Sequence, residues 1–184
     1  GLSDAGAAYI FERGESGWNA IETQKILASD AEASDSFGYS VAISGTTAIV
    51  GAHYEDTGGS DAGAAYIFER NGDGSWNATE TQKILASDAG ADDWFGYSVA
   101  ISGTTAIVGA HKEDTGGSNA GAAYIFEKDG STWSEVQKIQ ASDKETTDYF
   151  GVSVAISGTT VIVGASYEDI NTASDDNAGA AYIF

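Results

Sequence analysis

The sequence predicts an all-β protein, built as an array of four-stranded antiparallel sheets that stack face to face. Two observations carry this prediction. A unit of 55 to 58 residues recurs about three times along the 184-residue chain, and its segments alternate large and small side chains with a period of two. The stretch FGYSVAISGTTAIVGAH at 37–53 returns unchanged at 95–111, and a third copy from Phe150 differs only at Val152, Val161 and Ser166.

Each unit predicts four short strands and no helix longer than about two turns. In the first strand, FGYSVAIS at 37–44, large residues occupy the odd positions and Gly, Ala and Ser the even ones. A tight turn at Gly45-Thr46-Thr47 leads into the second strand, AIVGAH. The third is the recurring AGAAYIF, at 5–11, 62–68, 120–126 and 178–184, and the fourth surrounds a recurring QKI. The odd positions that we expect on one face are Phe37, Tyr39, Val41 and Ile43.

The face of small residues predicts the architecture. A sheet with one solvated face would carry charged residues there, whereas Gly, Ala and Ser indicate that both faces are buried. Four-stranded sheets stacked around an axis are the blades of a β-propeller, which is the fold that we expect. The chain forms one array, 1–184, with a partial repeat at 1–36, repeats at 37–94 and 95–149, and a partial repeat at 150–184.

Composition limits the classes of partner. Acidic residues number 28 against 8 basic ones, a formal net charge of −20, which excludes binding to nucleic acid and to anionic membrane surfaces. No apolar run reaches the roughly 20 residues of a membrane-spanning helix, so no membrane insertion is expected. The absence of Cys excludes disulfides and thiolate metal sites. Without Met or a signal peptide, the chain is expected to be part of something longer.

The order of these landmarks resembles the FG-GAP repeat family, which includes the propeller of integrin α-chains and many bacterial extracellular proteins. Phe-Gly is followed by Val-Gly-Ala, by Gly-Ala-Ala-Tyr-Ile-Phe, and then by Trp and Gln-Lys-Ile. The resemblance implies an extracellular or cell-surface location for a secreted protein, with an adhesive or scaffolding role. The family's Gly-Ala-Pro is here Gly-Ala-His or Gly-Ala-Ser, and SGTT replaces the integrin calcium loop, so that calcium site does not carry over.

Acidic clusters still allow a calcium prediction, because calcium takes six to eight oxygen ligands and such loops supply carboxylates and carbonyls together. The alternative is that these carboxylates cap their own turns. A second group of carboxylates follows Gly-Ala-His or Gly-Ala-Ser in each unit, as in Glu55, Asp56 and Asp61. The candidate calcium ligands, in the segments before each Phe-Gly, are Asp30, Asp35, Asp88, Asp92, Asp93, Asp143 and Asp148.

The sequence does not predict an enzyme. His53 and His111 occupy equivalent places in two units, and Ser166 replaces them in the third, so a structural or surface role is expected for both. Gly38-Tyr-Ser-Val-Ala42 lacks the final Gly and the strand-to-helix context of a nucleophile elbow, so Ser40 is expected on the small face of a strand.

Two further features allow glycan chemistry. Trp18, Trp76 and Trp133 recur in phase near the fourth strand, where they either pack at the sheet edge or stack on sugars. Asn77 begins the one Asn-x-Ser/Thr sequon, in an expected turn, and is a candidate glycosylation site.

The function predicted from these features is a non-enzymatic extracellular structural or adhesion module, with a multivalent lectin as the alternative. The chain begins with third and fourth strands and finishes with a first, a second and a third. Unpaired edges promote association, so the expected partners are further repeats of a longer chain or copies of itself, in a ring or a filament. Protein or glycan ligands are also expected, and calcium is the one cofactor considered.

Overall fold

The computed structural model describes residues 2–169 and 177–184, and every regular element in these residues is a β-strand. None of these elements is a helix that could cross a membrane. The strands are β1 (Ala8–Ile10), β2 (Arg13–Gly14), β3 (Gly17–Trp18), β4 (Gln24–Ile26), β5 (Ser40–Ser44), β6 (Thr47–Ala52), β7 (Ala64–Glu69), β8 (Gln82–Ile84), β9 (Ser98–Ser102), β10 (Thr105–Ala110), β11 (Ala122–Asp129), β12 (Thr132–Ile139), β13 (Phe150–Ser157), β14 (Thr160–Ala165) and β15 (Ala180–Ile183).

The strands form antiparallel meanders in chain order. Sheet 1 is β5-β6-β7-β8 and sheet 2 is β9-β10-β11-β12, so the prediction of four strands per sheet is confirmed in both. Sheet 3 is the three-stranded β13-β14-β15, and β1 pairs with β4 in a two-stranded sheet that we call the N-terminal pair. The short strands β2 and β3 form a hairpin between the members of that pair.

The sheets stack face to face, as the small-residue face predicts. Ile49 and Ile67 of sheet 1 belong to one buried cluster with Val99 and Ile101 of sheet 2. A second cluster joins sheet 2 to sheet 3, and a third joins the N-terminal pair to sheet 1. Sheet 2 is therefore packed on both faces, and its first two strands, β9 and β10, carry no charged residues.

One detail of the predicted alternation is wrong. Phe37 and Tyr39 were expected on the same face as Val41, but Gly38 has φ +94° and the amide of Tyr39 donates to the carbonyl of Ser36, so regular pairing begins only at Ser40. Phe37 enters the core beside the N-terminal pair, while Tyr39 turns toward sheet 2 and contacts Tyr97. The turn that follows is confirmed, with Gly45 at φ +58°.

Candidate functional site

The contacts between neighbouring sheets repeat in the same form at the two internal junctions. Ser40 Oγ donates to the carbonyl of Gly96 at 2.7 Å, and Ser98 Oγ donates to the carbonyl of Gly151 at 2.7 Å. Farther along the same strands, the amide of Gly103 donates to Ser44 Oγ at 3.0 Å and that of Gly158 to Ser102 Oγ at 3.2 Å. These serines explain the polar positions on the small face, because each bonds the backbone of the next sheet.

The fourth strands add a second repeated contact. Glu80, which precedes β8, accepts hydrogen bonds from the amide of Ser29 at 3.1 Å and from its hydroxyl at 2.5 Å. Glu135 of β12 accepts the equivalent bonds from Ser87, at 2.8 Å and 2.9 Å. In both cases the serine belongs to the segment that leads from one sheet into the next, so the glutamate fixes the path of that connection.

A lysine of the fourth strand lies between acidic residues of sheet 1. Lys83 Nζ is 2.7 Å from Asp30 Oδ2 and 2.7 Å from Glu55 Oε1, and it donates to Thr57 Oγ1 at 2.7 Å. The hydroxyl of Tyr66 donates to the other oxygen of Asp30 at 3.0 Å. Burial acts to raise the pKa of Asp30, but the hydrogen bonds from Lys83 and Tyr66 outweigh it, so the pKa lies below its ordinary value.

Sheet 2 contains the same arrangement. Lys138 Nζ is 2.7 Å from Asp88 Oδ2 and 2.9 Å from Glu113 Oε1, and Tyr124 donates to Asp88 at 2.8 Å. The pKa of Asp88 is lowered by the same bonds, against the effect of burial. We call each such set of Asp, Glu, Tyr and Lys an acid–lysine site. It compensates two carboxylates with one ammonium group and joins the outermost strand to the loops of its sheet.

Sheet 3 contains the aspartate, the glutamate and the tyrosine of an acid–lysine site, but its described strands do not supply the lysine. Asp143 accepts a hydrogen bond from the hydroxyl of Tyr182 at 2.8 Å, and Glu168 occupies the place of Glu55 and Glu113. Glu168 is buried, its Oε2 has no hydrogen-bond partner, and neither carboxylate forms an ion pair within residues 2–169 and 177–184. Burial and the nearby Asp148 raise the pKa of Glu168 to about 7.

The N-terminal pair contains the lysine and the tyrosine of an acid–lysine site. Lys25 of β4 is exposed and lies over the ring of Tyr9, 5.6 Å from its centroid, as Lys83 lies over Tyr66 at 5.5 Å. No carboxylate forms an ion pair with Lys25 in the described part of the chain. The two ends of the array therefore carry complementary parts of one repeated site.

The apolar faces at the two ends are complementary in the same way. On sheet 1, Val41 is 61% exposed, whereas its counterpart Val99 is 9% exposed beneath sheet 1. On sheet 3, Ile183 is 72% exposed, whereas its counterpart Ile67 is fully buried beneath sheet 2. An apolar groove of about 430 Å³ lies beside Val41 and Ile43, with β1 as its opposite wall. Both surfaces are copies of surfaces that the internal junctions bury.

The other candidate calcium ligands have separate roles in the described residues. The buried carboxylates of Asp35 and Asp93 accept backbone amides three residues earlier, from Glu32 and Gly90 at 2.7 Å each, and Asp148 accepts that of Glu145. Asp92 is exposed and in the left-handed region. In the described part of the chain, no group of three or more such side chains is placed to hold a metal ion. Calcium binding by these residues stays a prediction.

The second group of carboxylates closes the loops after the second strands. Asp56 accepts the amide of Asp61 at 2.8 Å, and Asp114 accepts that of Asn119 at 2.7 Å. Asp169 accepts that of Asn177 at 2.7 Å, and Asp175 lies outside the described residues. These bonds favour the turn-capping alternative for this group.

The recurring tryptophans do not share one environment. Trp76 and Trp133 are buried, as packing at the sheet edge requires, while Trp18 is 74% exposed. The burial of Trp76 and Trp133 favours the packing alternative for these two residues, while sugar stacking at Trp18 stays a prediction. Asn77 lies half-buried outside the strands, so its glycosylation stays a prediction.

An aromatic row crosses the ends of the second strands and was not predicted from the sequence. His53 contacts Tyr39 and Trp94 with ring centroids at 4.2 Å and 5.3 Å, and His111 contacts Tyr97 and Trp94 at 4.1 Å and 5.5 Å. Both histidines are buried, and their Nδ1 atoms lack hydrogen-bond partners in the described residues. Burial, with a smaller contribution from Lys112, lowers the pKa of each to about 4. Their packing supports the predicted structural role.

We expect these histidines to make the fold less stable in acid. Between about pH 6.5 and 4 the unfolded chain binds protons at both histidines and the folded chain does not, so stability falls as the pH falls. The effect is about 2 kcal/mol per histidine at pH 4.5. Burial raises the pKa of Asp93 to about 6, which acts in the opposite direction. Urea denaturation at pH 7.5 and 4.5 should therefore compare wild type with His53→Ser/His111→Ser, and an equal pH effect in both proteins would contradict this account.

Replacing Glu168 by Gln should stabilise the single chain at pH 8. The raised pKa means that folding favours the protonated carboxyl, so its stabilising effect is present below about pH 4.5 and is lost as the pH rises through 7. Gln removes this penalty, and we expect a gain of about 1 to 2 kcal/mol at pH 8 and little change at pH 4. Glu55→Gln is the comparison, because Glu55 already pairs with Lys83. A loss of stability in Glu168→Gln at pH 8 would count against this interpretation.

The lysines of the fourth strands were not predicted as site residues. The motif QKI marked the fourth strand at 24–26, 82–84 and 137–139, yet its lysine was not considered as the counterion of the acidic segments. The repeated position of the lysine could have indicated this role. In a chain with few basic residues, a lysine that recurs at one place in each unit is a good candidate for the counterion of nearby carboxylates.

Comparison with protein families agrees with this repeat structure. The family model described as FG-GAP repeat matches residues 20–68, 78–126 and 133–184. A search of curated proteins finds no match. Each of the three matched segments begins before or within a fourth-strand region and continues through the first three strands of the following sheet. These matches cover most of the chain, and it belongs to the FG-GAP repeat family.

Proposed function

We propose that this chain is a non-enzymatic extracellular structural module, in which each end of the array joins a further sheet of the same kind. FG-GAP repeats are typical of propeller and adhesion modules, usually occur in extracellular proteins, and are generally structural rather than enzymatic. The joined sheet belongs either to another copy of the chain or to further repeats of a longer protein. The product is a larger propeller or a filament.

The observation that supports this proposal is the exposure of two faces that are buried wherever a neighbour is present. Val41 and Ile43 are exposed, and the same residues of the next unit, Val99 and Ile101, are buried. Removing apolar surface from water contributes about 25 cal/mol per Å², so covering both faces favours association. Exposed sheet edges and apolar patches of this kind mark interaction surfaces in soluble proteins.

Light scattering over a range of protein concentrations tests the proposal. We expect an average mass that rises with concentration, because the two end faces are different and each can join the other. Val41→Lys should shift the chain toward one-chain mass, since it places a charge on the joining face. Val136→Lys is the matched control, because Val136 is 53% exposed on the outermost strand of sheet 2. A folded species of one-chain mass at every concentration would refute joining between copies.

Calcium remains a proposal for the acidic loops, and sheet 3 is where it is most readily tested. Asp143 and Glu168 have no lysine there in the described residues, so a cation that binds only the folded state would raise stability. Thermal melting with calcium and with a chelator, at low salt, measures this. An identical midpoint would leave solvation as the role of the acidic residues.

Glycan binding is the second candidate, and the aromatic row is the observation that favours it. Tyr39 is exposed, Tyr97 and Tyr149 are partly exposed, and Lys112 Nζ lies 3.1 Å from the centroid of the Trp94 ring. Partly exposed rings in a row offer stacking surfaces for successive sugars. A glycan array with wild type and Tyr97→Ala tests this candidate, and binding that is unchanged in Tyr97→Ala would remove the row from consideration.

A further inference from the structure

We propose that β4 of a second copy of this chain supplies the fourth strand of sheet 3, with Lys25 of that copy binding Asp143 and Glu168. This inference rests on the proposed function and specifies it further, because it assigns the partner, the strand and the charged contact. The completed sheet would have the four strands of sheets 1 and 2, and its acid–lysine site would have all its members.

The charges at the two ends of the array are complementary. Asp143, Glu168 and Tyr182 hold the places of Asp30, Glu55 and Tyr66, and the member missing from this set is the lysine of a fourth strand. Lys25 follows Gln24 and precedes Ile26 in β4, as Lys83 does in Gln82–Ile84. A buried carboxylate with one unpaired oxygen gains most from such a partner, since an uncompensated buried charge is costly.

The groups that form the hydrogen bonds of the internal junctions are divided between the two ends of the array. The serine hydroxyls lie at the end of sheet 3, and their expected acceptors lie at the N-terminal end. Ser142 follows the pattern of Ser29 and Ser87, which bind Glu80 and Glu135, and the corresponding glutamate of the N-terminal pair is Glu22. Ser153 corresponds to Ser40 and Ser98, whose hydroxyls bind a glycine carbonyl of the next sheet. The matching carbonyl at the other end belongs to Gly38. In the described residues neither serine hydroxyl has a hydrogen-bond partner, so the second copy would supply one to each.

The apolar side chains at the two ends are also placed to pack together. Joining the ends places the exposed Ile162 and Ile183 of one copy against Val41 and Ile43 of the other, as Ile49 and Ile67 pack with Val99 and Ile101 inside the chain. Two segments could form the third strand of the joined sheet, residues 178–184 of the first copy or residues 5–11 of the second, because they have the same sequence. β15 pairs with β14 in the register that places Tyr182 opposite Val163, as Tyr66 lies opposite Val50, and 5–11 of the second copy would adopt the same register.

A charge exchange tests the proposed contact. We expect Lys25→Glu and Glu168→Lys each to weaken the association measured by sedimentation by about 30-fold, because each leaves like charges facing one another. The double variant Lys25→Glu/Glu168→Lys has the net charge of the wild type and should recover most of the association. Glu15→Lys changes the net charge by the same amount as Glu168→Lys but lies on an exposed turn, so this variant should associate as the wild type does.

A second measurement separates a contact between copies from a general effect on folding. Glu168→Gln should weaken the association while it raises the stability of the dilute single chain at pH 8, which a purely structural role of Glu168 would not produce. If the chain associates and Lys25→Glu leaves the association unchanged, this inference is overturned while the proposed joining of faces stands. If Val41→Lys and Lys25→Glu both leave it unchanged, the joining of these faces fails as well.

Discussion

Replacing Lys83 by Met is expected to destabilise the folded chain by about 3 kcal/mol. The substitution keeps most of the apolar stem and removes the ammonium that lies 2.7 Å from both Asp30 and Glu55. Breaking a buried ion pair by removing one partner typically costs 3 to 5 kcal/mol, because the remaining charge is left uncompensated. We take the lower value because Asp30 is partly exposed. Urea denaturation of dilute protein at pH 7.5 measures the change.

Lys25→Met is the matched control for this substitution. It removes the same charge from the same position of a fourth strand, but Lys25 is exposed and has no ion pair in the described residues. At concentrations where the chain is dissociated, we expect a change within about 0.5 kcal/mol. Similar losses for the two variants would mean that the acid–lysine site contributes nothing specific to stability.

Replacing Gly51 by Ala is expected to cost at least about 3 kcal/mol. A Cβ at this position would lie 1.9 Å from the carbonyl oxygen of Gly96 and 2.3 Å from Ser40 Oγ, so the backbones of sheets 1 and 2 would have to separate. Overpacking that displaces side chains and backbone typically costs about 1 to 3 kcal/mol and occasionally more, and a Cβ this close to a backbone oxygen belongs at or above the upper end. The loss should appear as a lower urea midpoint with an unchanged dependence on denaturant.

Gly164→Ala provides the comparison, since Gly164 is the same residue of the third unit. The closest atom to its added Cβ would be Ser153 Oγ at 2.5 Å, and no carbonyl of a neighbouring sheet lies within 4 Å in the described residues. Rotation of the serine relieves this contact, so we expect a small loss in the dilute chain. Because a joined copy would bring Gly38 to this place, the same variant should impair association. An equal loss of stability for Gly51→Ala and Gly164→Ala would contradict the close approach between sheets.

The architecture could be predicted because the sequence repeats its local pattern in each unit. Alternation at 40–44 placed Val41 and Ile43 on one face, and Gly, Ala and Ser on the other face indicated a second buried surface. The failure at Tyr39 has a local cause. A positive φ at Gly38 interrupts the period of two, and Gly does not reveal from sequence alone which φ it adopts.

The candidate sites were harder to predict because they depend on contacts 20 to 60 residues apart. Asp30 was predicted as a candidate calcium ligand, but the sequence pattern did not identify Lys83 as its partner. The tryptophans recur in phase, which suggested one role, yet Trp18 is exposed while Trp76 and Trp133 are buried. Their exposure depends on whether a neighbouring sheet packs against them, and the repeated sequence alone does not show which units have such a neighbour.

The repeated junctions have a consequence for how the length of such a chain can change. Deleting residues 37–94 would bring Asp30 to Lys138 and Ser29 to Glu135, pairs of the same kinds as those they form now with Lys83 and Glu80. Loss or duplication of one whole unit therefore rebuilds a junction of a type that already exists, whereas loss of part of a unit separates the paired residues. The stretches 37–53 and 95–111 are identical, so such a change leaves the residues of the junction unaltered. The contacts of this architecture are therefore compatible with different numbers of whole units.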